Sequence, residues 1–427
     1  MKKSFYSIYN KIKNKKALIY TKDELSKLIK NNQKIDLSEI DIITTGTRGL
    51  MSGTYAILSI SLKNFPQFKK AKNVYLNGIE CFVGPCPNEN LNIIDIFIFG
   101  TKKSIYNSKY GSGHLFKDLV QKKKISLFLE TNDSKKYNTF ITMDNITFAK
   151  LMSTRNSFKN YKAFVNDSNE NINTIFHPNL FKSNLKEATV SGCGDINPIQ
   201  NDPYLKSIGI GTKVLVNGSE GFIIGKGTRS TKENPNLMIV SNMKNMNPLY
   251  MGGFNTSMGP ECIVSISIPL INIENFFLEK TILQKNSEIP LIVSNAYYRK
   301  DISKTFYSDI WENTDEKINI NLENCINCDI CLPLLLCPCN AISKNNNYII
   351  FNEDLCFNCG YCTTICKNSV FNANLGKLNF NYNNINYNIP IVCRQSDIFR
   401  AKMIAMELKI KIIEQKFLPT IYSEKLL

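Results

Sequence analysis

The pattern of apolar and polar residues predicts helices at several places in the first half of the chain. Thr21 and Glu24 have the spacing of a capping box, in which each side chain accepts a hydrogen bond from the other residue's backbone N–H. An apolar face that starts at Leu25 continues this helix. Residues 111–122 and 143–152 are also predicted to be helical.

Strands are predicted between these helices, where short apolar runs are bounded by turn residues. The clearest runs are residues 54–62, 92–99 and 125–130. Near the end of the chain, residues 389–392 predict a strand and residues 396–416 an amphipathic helix. We therefore expect a mixed α/β (α+β) main body.

The composition excludes several classes of protein. With 427 residues, of which 43% are hydrophobic, the chain is long enough for two or three domains. No apolar run approaches the roughly 18 residues that a membrane span needs, and the N-terminus lacks the apolar segment of a secretory signal. We therefore expect a cytoplasmic protein without membrane insertion. The net charge of +16 is spread along the chain without a nucleic-acid-binding motif, so nucleic acid is not an expected partner.

The strongest chemical signal is a cluster of cysteines near the carboxyl end. Two C-x2-C-x2-C triads are each followed by a fourth cysteine. Such a triad places three thiolates on one loop, and in two-cluster ferredoxins the fourth ligand comes from the other motif. By this rule, one [4Fe-4S] cluster would be held by Cys325, Cys328, Cys331 and Cys366. A second [4Fe-4S] cluster would be held by Cys337, Cys356, Cys359 and Cys362.

Alternatives to this assignment stay open. Cys339 lies two residues after Cys337 and competes with it as a ligand of the second cluster. Structural zinc would need only one or two C-x2-C pairs, and a disulfide network is disfavoured in the cytoplasm. The two triads therefore favour two iron–sulfur clusters in a ferredoxin-type domain. We place this domain at residues 319–372, between a main domain at residues 1–318 and a closing strand and helix at residues 373–427.

Two cysteines outside the cluster are candidates for catalysis. Cys193 lies between two glycines, which would leave the thiol accessible, and neighbouring backbone N–H groups would lower its pKa. The alternative is a turn in which Cys193 is only small and buried. Cys86, which lies between two prolines, is the second candidate for a catalytic thiol.

Two glycine-containing loops are candidate cofactor-binding elements. Neither has the third glycine and the following helix of a dinucleotide-binding fingerprint, so both are expected to be β turns. With an arginine nearby, they could still cradle a carboxylate or a phosphate. The residues concerned are Gly209, Gly211, Gly225, Gly227 and Arg229.

An ordered set of motifs resembles the methanogenesis marker 16 metalloprotein family over nearly the whole chain. These motifs precede the cysteine cluster and lie at residues 45–53, 83–89, 158–161, 191–198, 208–212, 225–229 and 250–254. Marker 16 belongs to the homocysteine-biosynthesis superfamily, whose characterised branch is an aspartate semialdehyde sulfurtransferase. The resemblance implies a cytoplasmic, oxygen-sensitive protein of a methanogenic archaeon that is connected with sulfur or cofactor metabolism.

The sequence departs from the sulfurtransferase branch at two cysteines. In that branch the first loop carries a cysteine after its methionine, whereas here Met51 is followed by Ser52. The persulfide cysteine of that branch falls after a predicted strand where this chain has residues 131–134, which contain no thiol. The persulfide residue therefore does not carry over, and Cys193 becomes the leading candidate for a sulfur carrier, with Cys86 second.

Two functional hypotheses follow from these observations. The first is a redox-dependent sulfur-transfer enzyme of sulfur amino acid or methanogenic cofactor metabolism, in which the ferredoxin module supplies electrons and a small substrate accepts sulfur. The second is a non-catalytic electron carrier or assembly module of a methanogenic complex. Both imply an electron donor or acceptor protein as a partner, but only the first depends on Cys193 and Cys86.

Overall fold

The computed structural model describes residues 3–63, 65–84, 90–345 and 348–426, which form eight α-helices and 26 strands. The helices are α1 (Phe5–Lys13), α2 (Lys22–Lys30), α3 (Ser112–Val120), α4 (Pro198–Asn201), α5 (Ser308–Trp311), α6 (Leu332–Leu336), α7 (Tyr361–Ile365) and α8 (Ile398–Ile413). None of these helices is both long and apolar enough to cross a membrane.

The strands of the first half of the chain are β1 (Ile19–Thr21), β2 (Ile42–Leu50), β3 (Thr54–Ser61), β4 (Ala71–Leu76), β5 (Ile79–Val83), β6 (Ile93–Phe99), β7 (Ile125–Thr131), β8 (Lys136–Ile141), β9 (Ile146–Asn156), β10 (Lys162–Val165), β11 (Ala188–Val190), β12 (Gly209–Ile210) and β13 (Lys213–Val216). Those of the second half are β14 (Ser219–Lys226), β15 (Leu237–Asn242), β16 (Gly252–Thr256), β17 (Gly259–Ile271), β18 (Pro290–Asn295), β19 (Asp301–Phe306), β20 (Asn319–Ile320), β21 (Ile342–Asn345), β22 (Tyr348–Phe351), β23 (Phe371–Asn372), β24 (Lys377–Tyr382), β25 (Ile385–Arg394) and β26 (Glu424–Lys425).

Fourteen strands form one large main sheet. Their order is β1, β2, β17, β13, β14, β15, β9, β3, β6, β5, β4, β7 and β8, and β16 also pairs with β17. Along β3, the buried residues Ala56, Leu58 and Ile60 alternate with less buried ones, as expected for an antiparallel sheet that buries one face. These side chains join those of α3 in the largest apolar core of the molecule.

Six further strands form a second sheet in the order β19, β18, β10, β11, β25 and β24. β11 and β25 are parallel, so the loops that follow them leave the sheet at the same edge. The backbone N–H of Gln395 donates to the carbonyl oxygen of Val190 at 2.7 Å. The Ser396 hydroxyl accepts a hydrogen bond from the backbone N–H of Gly192, also at 2.7 Å. The two loops are therefore held side by side.

Helix α8 covers the beginning of the main sheet. Ile404, Leu408 and Ile412 are fully buried, which confirms the apolar face predicted for this helix. The helix lies close to β2 at Gly46, where an added Cβ would lie 2.1 Å from the carbonyl oxygen of Ala401. Any larger residue at Gly46 would have to push α8 away from the sheet.

The cysteine-rich segment leaves and rejoins the main body at adjacent points. β20 and β23 are antiparallel, with Asn319 opposite Asn372. Between these strands lie α6, the hairpin of β21 and β22, and α7. Apolar residues of the segment, among them Ile342, Val370 and Phe371, form a separate small core with several of the cysteines.

The mixture of helix and sheet predicted for the main body is confirmed, as are the capping box at the start of α2 and the helix in residues 111–122. The helix predicted for residues 143–152 is wrong, because a short 3-10 turn and β9 occupy them. β9 pairs with β3 on one side and β15 on the other, and it buries alternate residues such as Ala149 and Leu151. Pairing on both sides outweighs the local helical spacing.

Candidate functional site

A cavity of about 680 Å³, called the large cavity below, lies where the loops after β11 and β25 face the main sheet. Thr47 of β2 and Glu261 of β17 line one side, and Gly192 and Ser396 line another. A volume of this size is typical of sites for small molecules. The large cavity is therefore the candidate substrate site.

Three arginines from different elements line the large cavity. Arg155 lies in β9, Arg229 follows β14, and Arg299 lies between β18 and β19. The guanidinium of Arg155 lies 4.9 Å from the centre of the Phe158 ring, and that of Arg299 lies 3.8 Å from the centre of the Phe176 ring. Burial lowers the pKa of Arg299, an interaction with Tyr161 opposes this effect, and the positive charges of the other two arginines lower the pKa further. Arg299 is thus close enough to both other guanidiniums to be repelled by them.

Glu261 places a buried carboxyl group on the wall of the large cavity. The residue is 5% exposed, and its Oε2 atom is buried without a hydrogen-bond partner. Burial raises the pKa of Glu261 to about 7, against the opposing effect of a hydrogen bond with Ser52. A carboxyl group with this pKa and a free oxygen is suited to exchange a proton with a substrate. Our sequence analysis missed Glu261, although a charged residue next to the apolar run of β17 was a usable signal.

Cys193 lies behind the wall of the large cavity and is fully buried. Its thiol donates to the carbonyl oxygen of Arg48 at 3.7 Å, and the Thr47 hydroxyl donates to its sulfur at 3.6 Å. Burial raises the pKa of Cys193 to about 11, so the expectations of an accessible thiol and a lowered pKa are wrong. Its contact Thr47 and its neighbour Gly192 both line the cavity. The other candidate, Cys86, lies outside the described residues.

The predicted binding glycines are not brought together. Gly209 pairs with β26 near the end of the chain, and Gly211 faces the same terminal segment. Gly225 lies at a bulge in β14, and Gly227 follows that strand. Of the five predicted binding residues, Arg229 alone lines the large cavity.

Two smaller cavities lie in the cysteine-rich segment, and each is lined by one of the two predicted sets of cysteines. The outer cavity, of about 420 Å³, is lined by the outer set, Cys325, Cys328, Cys331 and Cys366. The inner cavity, of about 20 Å³, is lined by the inner set, Cys337, Cys356, Cys359 and Cys362, and also by Cys339. Within the described ranges, no three His, Cys, Asp or Glu side chains are grouped so as to hold a single metal ion.

The surroundings of the inner set suit thiolate ligands. The backbone N–H of Ala341 donates to the sulfur of Cys337, and that of Asn358 donates to the sulfur of Cys356, each at 3.3 Å. N–H···S hydrogen bonds of this kind tune the potentials of iron–sulfur clusters. The sulfur donors around the inner cavity therefore fit such a cluster in their donor chemistry.

Buried arginines join the inner set to the main body. Arg400 of α8 donates to the carbonyl oxygen of Cys356 at 2.6 Å and pairs with Asp397 at 3.0 Å. Arg48 of β2 pairs with the same carboxylate at 3.2 Å. Because the carbonyl oxygen of Arg48 accepts the hydrogen bond from Cys193, a short series of contacts runs from the inner set to the wall of the large cavity.

Comparisons with known proteins point to one family. The family model described as "Homocysteine biosynthesis enzyme, sulfur-incorporation" matches residues 17–418. The chain is 40% identical over 406 residues to an uncharacterized protein of Methanocaldococcus jannaschii, a match that covers 94% of this chain and 99% of that protein. It is 35% identical over 399 residues to an uncharacterized protein of Methanothermobacter thermautotrophicus, covering 93% and 90% of the two chains.

A more distant similarity links the chain to a named enzyme. The chain is 29% identical over 340 residues to the L-aspartate semialdehyde sulfurtransferase of Methanocaldococcus jannaschii. This match covers 75% of the present chain and 64% of that enzyme. No solved structure matches the chain.

Proposed function

Since the chain belongs to the family of sulfur-incorporating homocysteine biosynthesis enzymes, we propose that it is a sulfur-transfer enzyme whose substrate binds in the large cavity. The cysteine-rich segment binds two [4Fe-4S] clusters and supplies electrons. The observation that carries this proposal is the position of residues 394–397. The backbone N–H of Arg394 donates to the carbonyl oxygen of Cys359 in the inner set at 2.8 Å, whereas Gln395 and Ser396 line the large cavity.

The outer and inner sets of cysteines would each hold one cluster, with Cys337 as the fourth ligand of the inner one. When bound, such clusters supply one-electron transfer. The surroundings of the two sets indicate different roles in electron transfer. Cys328 of the outer set is exposed, and its neighbours Ile326 and Ile330 are each 69% exposed. The outer set is therefore suited to exchange electrons with a partner protein, and the inner set faces the main body.

A need for electrons follows from the chemistry of sulfur incorporation. Converting an aldehyde into a thiol with the outer sulfur atom of a cysteine persulfide consumes four electrons and four protons, releases one water molecule and restores the cysteine thiol. In the large cavity, Glu261 is placed to exchange a proton through its free Oε2 atom. Cys193, directly behind the wall, would carry the sulfur as a persulfide, received in a redox-neutral exchange from a persulfide or polysulfide donor, and Thr47 would hydrogen-bond it.

Sulfur and iron analysis of anaerobically purified protein tests this proposal. The wild-type protein is expected to contain about eight iron atoms, as two cubane clusters require, together with sulfane sulfur. Cys193→Ala should keep the iron but lose the sulfane sulfur and the transfer of sulfur to an aldehyde acceptor. Cys81→Ala removes a similarly buried thiol of β5 and should retain all three properties.

Separate outcomes would contradict the two parts of this proposal. Unchanged sulfur transfer in Cys193→Ala would remove that residue from the mechanism. Colourless protein, or protein with zinc in place of iron, would remove the clusters. Cys328→Ser and Cys359→Ser, one from each set, should each lose about half of the iron if two separate clusters are present.

A second candidate function is that of an electron carrier without catalysis of its own. The exposure of Cys328 and of the two isoleucines beside it favours this alternative. Iron without sulfane sulfur, and electron exchange with a partner protein that is unaffected by Cys193→Ala, would support the carrier over the enzyme.

A further inference from the structure

The arginines of this chain are rare and are concentrated around the site. Six of the 52 basic residues are arginines, and the others are lysines. Three of the six, Arg48, Arg394 and Arg400, are buried at the junction with the cysteine-rich segment. The other three are Arg155, Arg229 and Arg299, which line the large cavity. Arginine presents a planar, bidentate donor that lysine cannot replace, so its confinement to these positions indicates a specific use.

The three cavity arginines lack internal counter-charges. At the junction, Arg400 pairs with Asp397, but in the part of the chain that the structure describes no carboxylate pairs with Arg155, Arg229 or Arg299. A cleft lined by charges of one sign attracts ligands of the opposite charge.

The backbone and the neighbouring rings describe how these arginines are held. Arg229 and Arg299 both have left-handed backbone conformations, with φ of 60° and 59°, as do several lysines and leucines elsewhere in the chain. This conformation is less favourable for arginine than for glycine or asparagine. The aromatic rings of Phe158 and Phe176 support the guanidiniums of Arg155 and Arg299. Aromatic rings thus orient two of the three guanidiniums toward the cavity that they line.

We propose that Arg155, Arg229 and Arg299 form a binding site for a small substrate that carries at least two acidic groups, such as a dicarboxylate or a phosphorylated acid. Guanidinium groups bind carboxylate and phosphate through paired N–H···O hydrogen bonds. The inference deepens the proposed function, because it names the substrate class of the same cavity. Such a substrate is more negatively charged than aspartate semialdehyde, in which one carboxylate is balanced by one ammonium group.

Titration calorimetry of the full-length protein with succinate, inorganic phosphate and propionate at constant ionic strength tests this inference. At least one of the two doubly charged probes should bind about tenfold or more tightly than propionate. If succinate binds more tightly, the second acidic group of the substrate is a carboxylate, and if phosphate does, it is a phosphate. Arg155→Gln and Arg229→Gln should each weaken its binding by roughly 10- to 100-fold, the usual loss for a charge-assisted hydrogen bond. Lys232→Gln, which removes an exposed charge close to Arg229, should leave the affinity unchanged.

Two results would overturn the inference. One is equal affinity for propionate and both doubly charged probes, and the other is unchanged affinity in both arginine variants. Anion binding requires neither the clusters nor Cys193. Binding that persists in Cys193→Ala protein, together with absent sulfur transfer in the wild type, would therefore refute the proposed function while leaving the anion site intact.

Discussion

The junction and the large cavity each contain three arginines, and the two regions use them in opposite ways. At the junction, Arg394 donates to the carbonyl oxygens of Asp315 and Ile310, and Arg400 donates to that of Cys356. Hydrogen bonds from these guanidiniums thus replace water inside the protein. In the large cavity, the arginines line an open volume and have no carboxylate partner among the described residues. An arginine that is bonded to protein groups stabilises the fold, whereas an arginine that lines a cavity without such partners is available to bind a ligand.

Replacing a junction arginine is expected to have the largest effect on stability. Arg400→Met leaves the buried carboxylate of Asp397 with less positive charge and the carbonyl of Cys356 without its donor. The free energy of unfolding should fall by roughly 4 kcal/mol, as when one partner of a buried ion pair is removed. Lys317→Met, which breaks a surface pair with Glu353, should cost less than about 1 kcal/mol. Urea unfolding measures both, and equal losses would mean that the junction arginines are not structural.

A somewhat smaller effect is expected in the large cavity, where Glu261 should make stability depend on pH. Its folded-state pKa of about 7 lies above the ordinary value of 4.5, so the folded protein retains a proton that the unfolded chain has lost. The free energy of unfolding should therefore fall by about 3 kcal/mol between pH 4.5 and pH 7 and then level off.

Glu261→Gln cannot ionise and should lack this fall, whereas Glu170→Gln, at an exposed position, should retain it. Unfolding experiments at pH 5, 6, 7 and 8 measure the slope. The same slope in Glu261→Gln and in the wild type would show that the Glu261 carboxyl is not protonated in the folded protein near neutral pH.

The smallest expected effect is a gain, not a loss, in the free energy of unfolding. Arg229→Asn removes a charge that repels Arg299 and places at φ 60° a residue that tolerates the left-handed conformation. We expect a gain of about 1 kcal/mol in the free energy of unfolding at low salt. Arg229→Lys keeps both the charge and the strain and should show no gain. A loss of stability in Arg229→Asn would instead group Arg229 with the structural arginines of the junction.

The sequence is informative where the chemistry is local. The capping box of α2 and the apolar face of α8 depend on residues three or four positions apart, and both are confirmed. The cysteine triads have a similarly short spacing, and the structure gathers each predicted set around one cavity. Whether clusters occupy these cavities stays a prediction.

Sequence reasoning fails where distant strands assemble the site. Arg155, Arg229 and Arg299 are 70 or more residues apart, and only the two sheets bring them together. The burial that raises the pKa values of Glu261 and Cys193 also comes from tertiary packing. The glycines on either side of Cys193 predicted an accessible thiol. In the structure, the Thr47 hydroxyl and the Arg48 carbonyl contact this thiol and enclose it.

The adjacency of β20 and β23 bears on how such a protein can evolve. Because Asn319 lies opposite Asn372, one tight turn could replace everything between them, so a single genetic event could add or delete the intervening piece. Deletion would also take away the Phe357 ring that faces the Arg48 guanidinium and the Cys356 carbonyl that binds Arg400. In a lineage that lost this piece, Arg48 and Arg400 would keep their ion pairs with Asp397 but lose these two contacts, and selection would then favour residues that replace the lost contacts.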